Sequence, residues 1–222
     1  MPLPSMDRRP TTMAAVMMLA TMTSSCQNTR TADAGPHDPG NAPVAVPDVR
    51  PSINPAPRQR YVLTLRFDGL PGEIADLDAT ADFEVENREC VPYDFSRAVG
   101  GVRLPPRHSV PLALERVDTG TWTAVVHEDA LLDEDYYGLG VCHWALNNAS
   151  VHFRSDATRF VGGMPADRLL AGGVLVDHFL ARDFAHRPEP MEVVFGEEAA
   201  DYYQASAGPQ FTLTITARRE AP

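Results

Sequence analysis

The sequence predicts a mainly β fold, an antiparallel β-sandwich of about eight strands within residues 59–222. Three observations support this prediction. Apolar and polar residues alternate at both ends of the region, short strand-like segments recur between them, and clusters of Gly, Pro and Asp separate the segments. Alternation with period two indicates a strand with one buried face, and short strands at such spacing are typical of sandwiches and barrels.

The two terminal strands have the clearest pattern. Apolar residues occupy every second position, and they are Tyr61, Leu63, Leu65 and Phe67 in the first strand and Phe211, Leu213 and Ile215 in the last. Further strands are predicted near residues 81–86, 110–117, 121–127, 139–146, 149–154 and 191–195. The stretch 165–184 is the exception, and it is predicted to include a short helix, although Gly172 and Gly173 interrupt it.

Two hairpins follow from turn residues. A three-residue loop at 118–120, with Gly120 left-handed, places Arg116 opposite Trp122 and gathers apolar residues on one face. A two-residue turn at Asn147 and Asn148 would place Cys142 opposite Phe153 and give a wholly apolar face.

The first 25 residues have the layout of a secretory signal. Arg8 and Arg9 provide the positive start, an uncharged apolar run covers 12–22, and small residues lead into Cys26. The apolar run is shorter than the ~20 residues of a transmembrane helix. An ordinary cleaved signal and a signal that ends in an acylated cysteine are both compatible with this layout.

The small residues before Cys26 resemble the processing site of a bacterial lipoprotein, although Thr23 stands where that family usually has Leu. The resemblance implies that Cys26 is lipidated and becomes the mature N-terminus. Gln27 follows Cys26, where retention in the inner membrane would usually show Asp. The expected location is therefore the periplasmic face of the outer membrane, with a lipid anchor as the protein's means of membrane attachment.

Residues 26–58 are rich in Pro, Ala, Gly and Asp and contain no aromatic residue. Such a composition cannot bury enough apolar surface to offset ordering entropy, so this segment is predicted to be a disordered tether. The folded domain is predicted to span 59–222.

The formal net charge is −11 at pH 7. An acidic surface repels nucleic acid and anionic lipid head groups, which argues against nucleic-acid binding and suits a basic protein partner.

Cys90 and Cys142 remain once Cys26 is set aside. In an exported protein they are expected to form a disulfide, which would contribute about 4 kcal/mol on the chain-entropy model. A reactive thiol pair is the alternative, but no Cys-x-x-Cys spacing supports it. With Trp144 nearby, Cys142 resembles the Cys–Trp core of immunoglobulin-like sandwiches. This resemblance implies the architecture alone, because Gly140 stands where that family has Tyr.

The predicted 147–148 turn places His143 opposite His152, and such a pair could share a transition metal with a third ligand. Two exposed sheet residues explain the pair equally well, and no cofactor is expected.

Two segments combine carboxylates with paired tyrosines. The first contains Asp133, Glu134, Asp135, Tyr136 and Tyr137, and the second contains Glu197, Glu198, Asp201, Tyr202 and Tyr203. Tyr is favoured in interface hot spots, so both segments are candidate partner-binding surfaces. Calcium binding is an alternative for the first segment, although its spacing fits no known calcium loop.

No catalytic residues are assigned, because serines and glycine pairs lack the settings of a nucleophile elbow or phosphate loop. The leading hypothesis is a non-enzymatic, lipid-anchored interaction protein that binds an envelope or secreted protein. Its overall build resembles that of immunity proteins that neutralise toxins. The alternatives are a structural or assembly lipoprotein of an envelope complex, and a metal-dependent enzyme.

Overall fold

A computed structural model of the chain describes residues 46–156, 158–185, 193–204 and 207–220. All described residues belong to one compact unit, Pro43–Pro222. The predicted signal segment, Cys26 and residues 26–45 of the predicted tether lie outside the described residues. Within this part of the chain, no helix is long and apolar enough to cross a lipid bilayer.

The described residues form ten strands, two short α-helices and a 3-10 turn at Arg88–Cys90. The strands are β1 (Arg60–Asp68), β2 (Asp76–Val85), β3 (Arg107–Pro111), β4 (Glu115–Asp118), β5 (Thr121–His127), β6 (Trp144–Arg154), β7 (Arg159–Pro165), β8 (Val174–Leu180), β9 (Val193–Phe195) and β10 (Gln210–Arg219). The helices are α1 (Ala166–Leu170) and α2 (Ala181–Ala185).

The strands form two sheets, and the predicted β-sandwich is confirmed. The first sheet has the order β4-β5-β1-β10-β8, and all of its pairs are antiparallel. The second has the order β3-β2-β6-β7-β9, in which β9 runs parallel to β7. Side chains from both sheets share one apolar core.

The alternation at the two ends of the domain defines the centre of the first sheet. Strand β1 pairs along its length with β10, so that Leu65 lies opposite Ile215, and both side chains are completely buried. Burial of a side chain of this size stabilises the fold by about 1.5–3 kcal/mol.

Phenylalanine rings join the two sheets. Phe153 of β6 stacks on Phe160 of β7 with ring centroids 4.9 Å apart, and Phe179 of β8 stacks on Phe211 of β10 at 5.2 Å. The edge of the Phe153 ring meets Phe179 at 5.3 Å, which connects the two stacked pairs across the core.

The first predicted hairpin is confirmed in its main features. Gly120 is left-handed, with φ of +83°, and Arg116 lies opposite Trp122. The register shifts between Arg116 and Asp118, so the turn is completed by a bulge.

The second predicted hairpin is wrong, because Asn147 and Asn148 lie inside the continuous strand β6. Asp82 pairs with Asn148 and Phe83 with Leu146, so that Asn147 is the extra residue of a β-bulge. The Asn148 side chain donates hydrogen bonds to Asp82 and Ser150. Residues with turn preferences are thus used to bulge a strand instead of ending it.

The predicted strand 110–117 is divided between the sheets, with β3 in the second and β4 in the first. The intervening Leu112 and Leu114 are partly buried against the core, so the chain remains apolar while it crosses between sheets.

The stretch 165–184 contains the predicted short helix, but also a strand. Helix α1 ends where Gly172 adopts a φ of +69°, and the amide of Gly173 donates to the carbonyl of Arg168. Strand β8 and helix α2 follow.

The ordered contacts of the chain begin before residue 59. Ile53 forms a β-bridge with Leu131, and the side chain of Asn54 donates to the carbonyl of Asp129 at 2.7 Å. The last residues of the segment assigned to the tether therefore lie against the domain.

Candidate functional site

The predicted disulfide is present and lies in a small apolar cluster of its own. Cys90 and Cys142 are joined by an S–S bond of 2.02 Å and are almost completely buried. We call this group the disulfide cluster, and it comprises Val85, Cys90, Val91, Cys142, Tyr136, Tyr137 and Trp144. Because Val85 ends β2 and Trp144 begins β6, the cluster lies at one end of the second sheet.

The carboxylates of the first acidic segment bind other groups of the domain. Asp133 accepts hydrogen bonds from the amide of Trp144 at 2.9 Å and from Nδ1 of His143 at 2.8 Å. Asp135 accepts from the amides of Gly138 and Leu139 at 2.7 and 3.1 Å. These carboxylates therefore hold the loop that leads to Cys142.

The neighbouring acidic side chains make similar contacts. Asp129 accepts from the amides of Arg58 and Gln59 at 2.9 and 3.0 Å, and Glu134 lies 3.3 Å from the hydroxyl of Ser52. The segment thus fixes the chain before β1, and these contacts explain its acidic composition without a partner.

Tyr136 and Tyr137 are half-buried members of the disulfide cluster. The Tyr136 hydroxyl donates to the carbonyl of Leu132 at 2.8 Å and accepts from the indole N–H of Trp144 at 3.1 Å. Burial raises the pKa of the Tyr136 phenol. The Tyr137 hydroxyl lies 3.5 Å from the carbonyl of Pro47, so both rings contact the domain itself.

The second acidic segment lies elsewhere. The backbone of Glu197 pairs with that of His178, which lies opposite Thr212. Glu128, just before the first segment, instead contacts Tyr61, and Tyr61 and Thr212 lie at opposite ends of the β1–β10 ladder. At about 3.3 Å per residue the two ends are roughly 23 Å apart, so the segments do not form one surface.

Tyr202 is the exposed tyrosine of this second segment. Its side chain is 63% exposed and meets the ring of Tyr203 edge-on at 5.3 Å. Tyr203 is half-buried, with its hydroxyl 3.4 Å from the carbonyl of His178, and Glu198 forms an ion pair with Arg168 at 2.5 Å.

The structure does not bring His143 and His152 together. Because β6 is continuous, the two residues are separated along one extended segment by about 30 Å. Hydrogen bonding to Asp133 raises the pKa of His143. Among the residues that the structure describes, no group of three or more His, Cys, Asp or Glu side chains could hold a metal ion. The metal-site prediction required His143 and His152 to lie opposite one another, and they do not.

A different surface stands out beside the disulfide cluster, the loop of residues 92–106, which we call the aromatic–arginine loop. It exposes four large apolar side chains, which are Tyr93, Phe95, Val99 and Leu104. Tyr93 is 51% exposed, Phe95 is 61% exposed and Val99 is fully exposed. Single exposed apolar residues are ordinary, but four within one loop, two of them with ring centroids 6.0 Å apart, make this loop a candidate interaction site.

The loop has an internal framework that directs these side chains outward. Asp94 is buried and pairs with Val102 through two backbone hydrogen bonds of 2.8 and 3.1 Å. Its carboxylate accepts from the hydroxyl and amide of Ser96 at 2.5 and 2.9 Å, and the hydroxyl bond in particular holds the pKa of Asp94 below its usual value.

The opposite face of the loop carries the aromatic rings. The guanidinium of Arg103 lies 4.5 Å from the ring centroid of Tyr93, which is a cation–π distance. Gly101 has a φ of +76°, and a Cβ atom there would lie 2.9 Å from the Phe95 ring. The absence of a side chain at Gly101 therefore lets Phe95 lie against the backbone.

Both ends of the loop are fixed to the domain. Val91 at its start is buried in the disulfide cluster, and the carbonyl of Pro106 at its end accepts from the amide of Val85 at 3.1 Å. No prediction from the sequence included this loop, although two aromatics with i, i+2 spacing followed by a Gly-Gly pair were an available signal.

A buried carboxylate lies at the opposite edge of the sandwich. Asp177 of β8 faces the core with 6% of its surface exposed, and its Oδ2 accepts from the amide of Gly163 of β7 at 2.9 Å. Burial, with a smaller contribution from the nearby Glu198 and Glu197, raises the pKa of Asp177 to about 6. Sequence reasoning did not find this residue.

Two clefts on the surface are open and mixed in character. The larger, of about 450 Å³, lies beside the β4–β5 turn and is lined by Phe67, Leu70 and Trp122 among others. The smaller, of about 270 Å³, includes Asp76, His152 and Arg159. Among the hydrogen bonds of the described residues, none joins a nucleophile to a base in either cleft.

No protein-family model, no curated protein and no solved structure matches the chain.

Proposed function

We propose that this chain is a non-enzymatic interaction protein of the bacterial envelope. Its domain would face the periplasm, be attached to the outer membrane through an acylated Cys26, and make its contacts through the aromatic–arginine loop. The observation that carries the binding function is the exposure of Tyr93, Phe95 and Val99 on a loop fixed at both ends.

The composition and rigidity of the loop both favour binding. Aromatic residues and Arg are enriched in interface hot spots, and Tyr93, Phe95 and Arg103 supply both types within one contact network. A loop that is already ordered loses less conformational entropy when it binds. The disulfide and the Asp94–Ser96 bonds supply that order.

Loop-dependent capture tests the binding function. The immobilised protein would be exposed to envelope extract and compared with the Phe95→Ser/Val99→Ser variant. The matched control is Val117→Ser/Phe195→Ser, which removes side chains that are 61% and 64% exposed on other strands. We expect the control to recover the wild-type components and the loop variant to lose them. Identical recovery by all three proteins would show that the loop is not the contact surface.

Lipid attachment has a separate test. Cells that express the full chain would be fed an alkyne-bearing fatty acid, and the label on the protein would be compared with that on Cys26→Ser. A labelled wild-type chain and an unlabelled variant are expected. An unlabelled wild-type chain would instead favour an ordinary cleaved signal.

A basic protein partner is a second candidate, and Tyr202 is the observation that favours it. Its exposed ring adjoins the acidic residues of the second segment, whereas the first segment is engaged by the domain. An immunity-type inhibitor would steer a basic toxin to this patch. Tyr202→Ala should then weaken capture of a basic protein, while Phe95→Ser should leave it unchanged.

A structural role in an envelope complex would require a long-lived, loop-dependent complex with another subunit.

A further inference from the structure

The aromatic–arginine loop and the N-terminal chain leave the domain at the same end. Val91, directly before the loop, lies in the disulfide cluster, and Tyr137 of that cluster has its hydroxyl 3.5 Å from the carbonyl of Pro47. The described chain begins at residue 46. Whatever holds the N-terminal chain therefore holds the loop close to it as well.

The distance available to the chain is limited. Twenty residues separate Cys26 from Pro47, and a fully extended chain of that length spans at most about 70 Å. If Cys26 is anchored in a bilayer, the end of the domain that carries the loop stays within about this distance of that bilayer, so the loop can reach the lipid surface.

The side chains of the loop suit a phospholipid surface. Tyr93, Phe95 and Val99 are apolar groups that project from the domain, and rings of this kind settle at the level of lipid head groups. The Nε of Arg97 lies 3.5 Å from the carboxylate of Asp94, yet 69% of the Arg97 side chain is exposed, and guanidinium groups bind phosphate oxygens strongly. The loop thus presents apolar groups and a phosphate-binding side chain on one exposed surface.

The charge of the rest of the chain limits this contact to the loop. Residues 92–106 contain two Arg and one Asp, whereas the whole chain has a formal charge of −11. An acidic surface is repelled by anionic head groups within about a Debye length, ~8–10 Å. Attraction at the loop and repulsion elsewhere would favour a single orientation of the domain.

We propose that the aromatic–arginine loop inserts into the head-group region of the phospholipid bilayer and orients the domain on it. This proposal rests on the proposed function and names the partner of the same surface. A lipid anchor alone leaves the domain free to rotate, whereas a second contact at the loop fixes which face of the sandwich points into the periplasm.

Vesicle flotation tests the proposal without the anchor. The protein is the chain from residue 26 to 222 with Cys26→Ser, which keeps the whole unit Pro43–Pro222 with its core and disulfide. Vesicles of phosphatidylethanolamine and phosphatidylglycerol would be mixed with this protein, with its Phe95→Ser/Val99→Ser variant, or with the matched Val117→Ser/Phe195→Ser control. Thermal unfolding of each protein verifies that it is folded.

We expect the protein with the unsubstituted loop and the control to float with the vesicles. The loop variant should bind the vesicles at least about tenfold more weakly. Failure of the unsubstituted protein to float, or equal flotation of the loop variant, would overturn the proposal. If flotation fails while loop-dependent capture of a protein persists, the partner is a protein and the proposed interaction function stands. If both fail, the loop is not a binding surface.

Discussion

The carboxylate of Asp177 accepts a hydrogen bond from the amide of Gly163 at 2.9 Å, and this bond joins a strand of the first sheet to a strand of the second. Strand β9 pairs with β7 from Arg159 to Val161, and Asp177 takes the next amide along the same edge. A buried side chain therefore accepts the backbone hydrogen bond that an edge strand would otherwise accept.

This contact predicts a dependence of stability on pH. The pKa of Asp177 is about 6 in the folded protein, against about 3.9 in an unfolded chain. Between these values the folded state binds more protons, so the free energy of unfolding falls as pH rises from about 4 to about 6 and is then level. Asp177→Asn should remove this fall and raise the stability at pH 7.5 by about 3 kcal/mol.

Urea unfolding at pH 4.5 and pH 7.5 measures both quantities. Asp201→Asn, which changes an exposed carboxylate, is the control and should follow the wild type. Parallel pH dependence of the wild type and Asp177→Asn would contradict the assignment.

We predict that no side chain can be added at Gly162, because the same carboxylate lies against it. A Cβ atom at this position would lie 2.5 Å from Oδ2 of Asp177 and 2.9 Å from Leu213. Gly162→Ala should therefore destabilise the fold by about 1–3 kcal/mol, as measured by thermal unfolding. The penalty should shrink in an Asp177→Ala background, because one of the two close contacts is then absent. Full additivity of the two substitutions would show that Asp177 is not the obstacle.

Removal of the disulfide should destabilise the domain and loosen the aromatic–arginine loop. Cys90 and Cys142 close a loop with a sequence separation of 52, for which chain entropy alone gives about 4 kcal/mol. Cys90→Ala/Cys142→Ala is expected to lose about 2–4 kcal/mol in denaturant unfolding, and amide exchange in residues 92–106 should become faster. Reductant should reproduce the effect in the wild type and leave the variant unchanged.

The Asp133–His143 contact predicts a change in the pKa of His143 when Asp133 is replaced. Hydrogen bonding to Asp133 raises the pKa of His143, so Asp133→Asn should return that pKa towards its usual value. Titration of the imidazole protons by NMR measures this change. Asp135→Asn removes a neighbouring carboxylate that instead bonds Gly138 and Leu139, and it should leave the His143 titration where it is.

Local patterning could predict the centre of the fold. Strands β1 and β10 have one buried face, so the alternation of Leu63, Leu65, Leu213 and Ile215 reports their secondary structure directly. The same holds for Gly120, whose turn requires a left-handed residue. Two cysteines in a chain with an export-like start sufficed for the disulfide.

Patterning failed where a residue serves a distant neighbour. Asn147 has a turn preference, but the long pairing of β2 with β6 turns it into a bulge. Gly162 and Gly163 weaken a strand signal, yet β7 needs small residues there, because Asp177 lies against Gly162 and the backbone of Ala149 lies against Gly163. The sequence predicts an exposed surface for the tyrosines of the first acidic segment, whereas Trp144 and the disulfide bury them in part.

The aromatic–arginine loop shows a further limit. Whether Tyr93 and Phe95 face the core or solvent depends on Asp94, which is buried and bonded in the position that an apolar residue would usually occupy. Sequence alternation alone assigns the aromatic residues to the buried face, so the exposed surface became visible only with the backbone pairing of Asp94 and Val102.

The pairing of β1 with β10 has a consequence for the order in which the molecule can be assembled. Strand β1 lies between β5 and β10, so one of its edges is unpaired until residues 210–219 have been synthesised. Contacts that join distant parts of a chain form slowly, because a long loop must close before they stabilise anything. The first sheet of this domain therefore cannot be completed until the last strand of the chain has been synthesised.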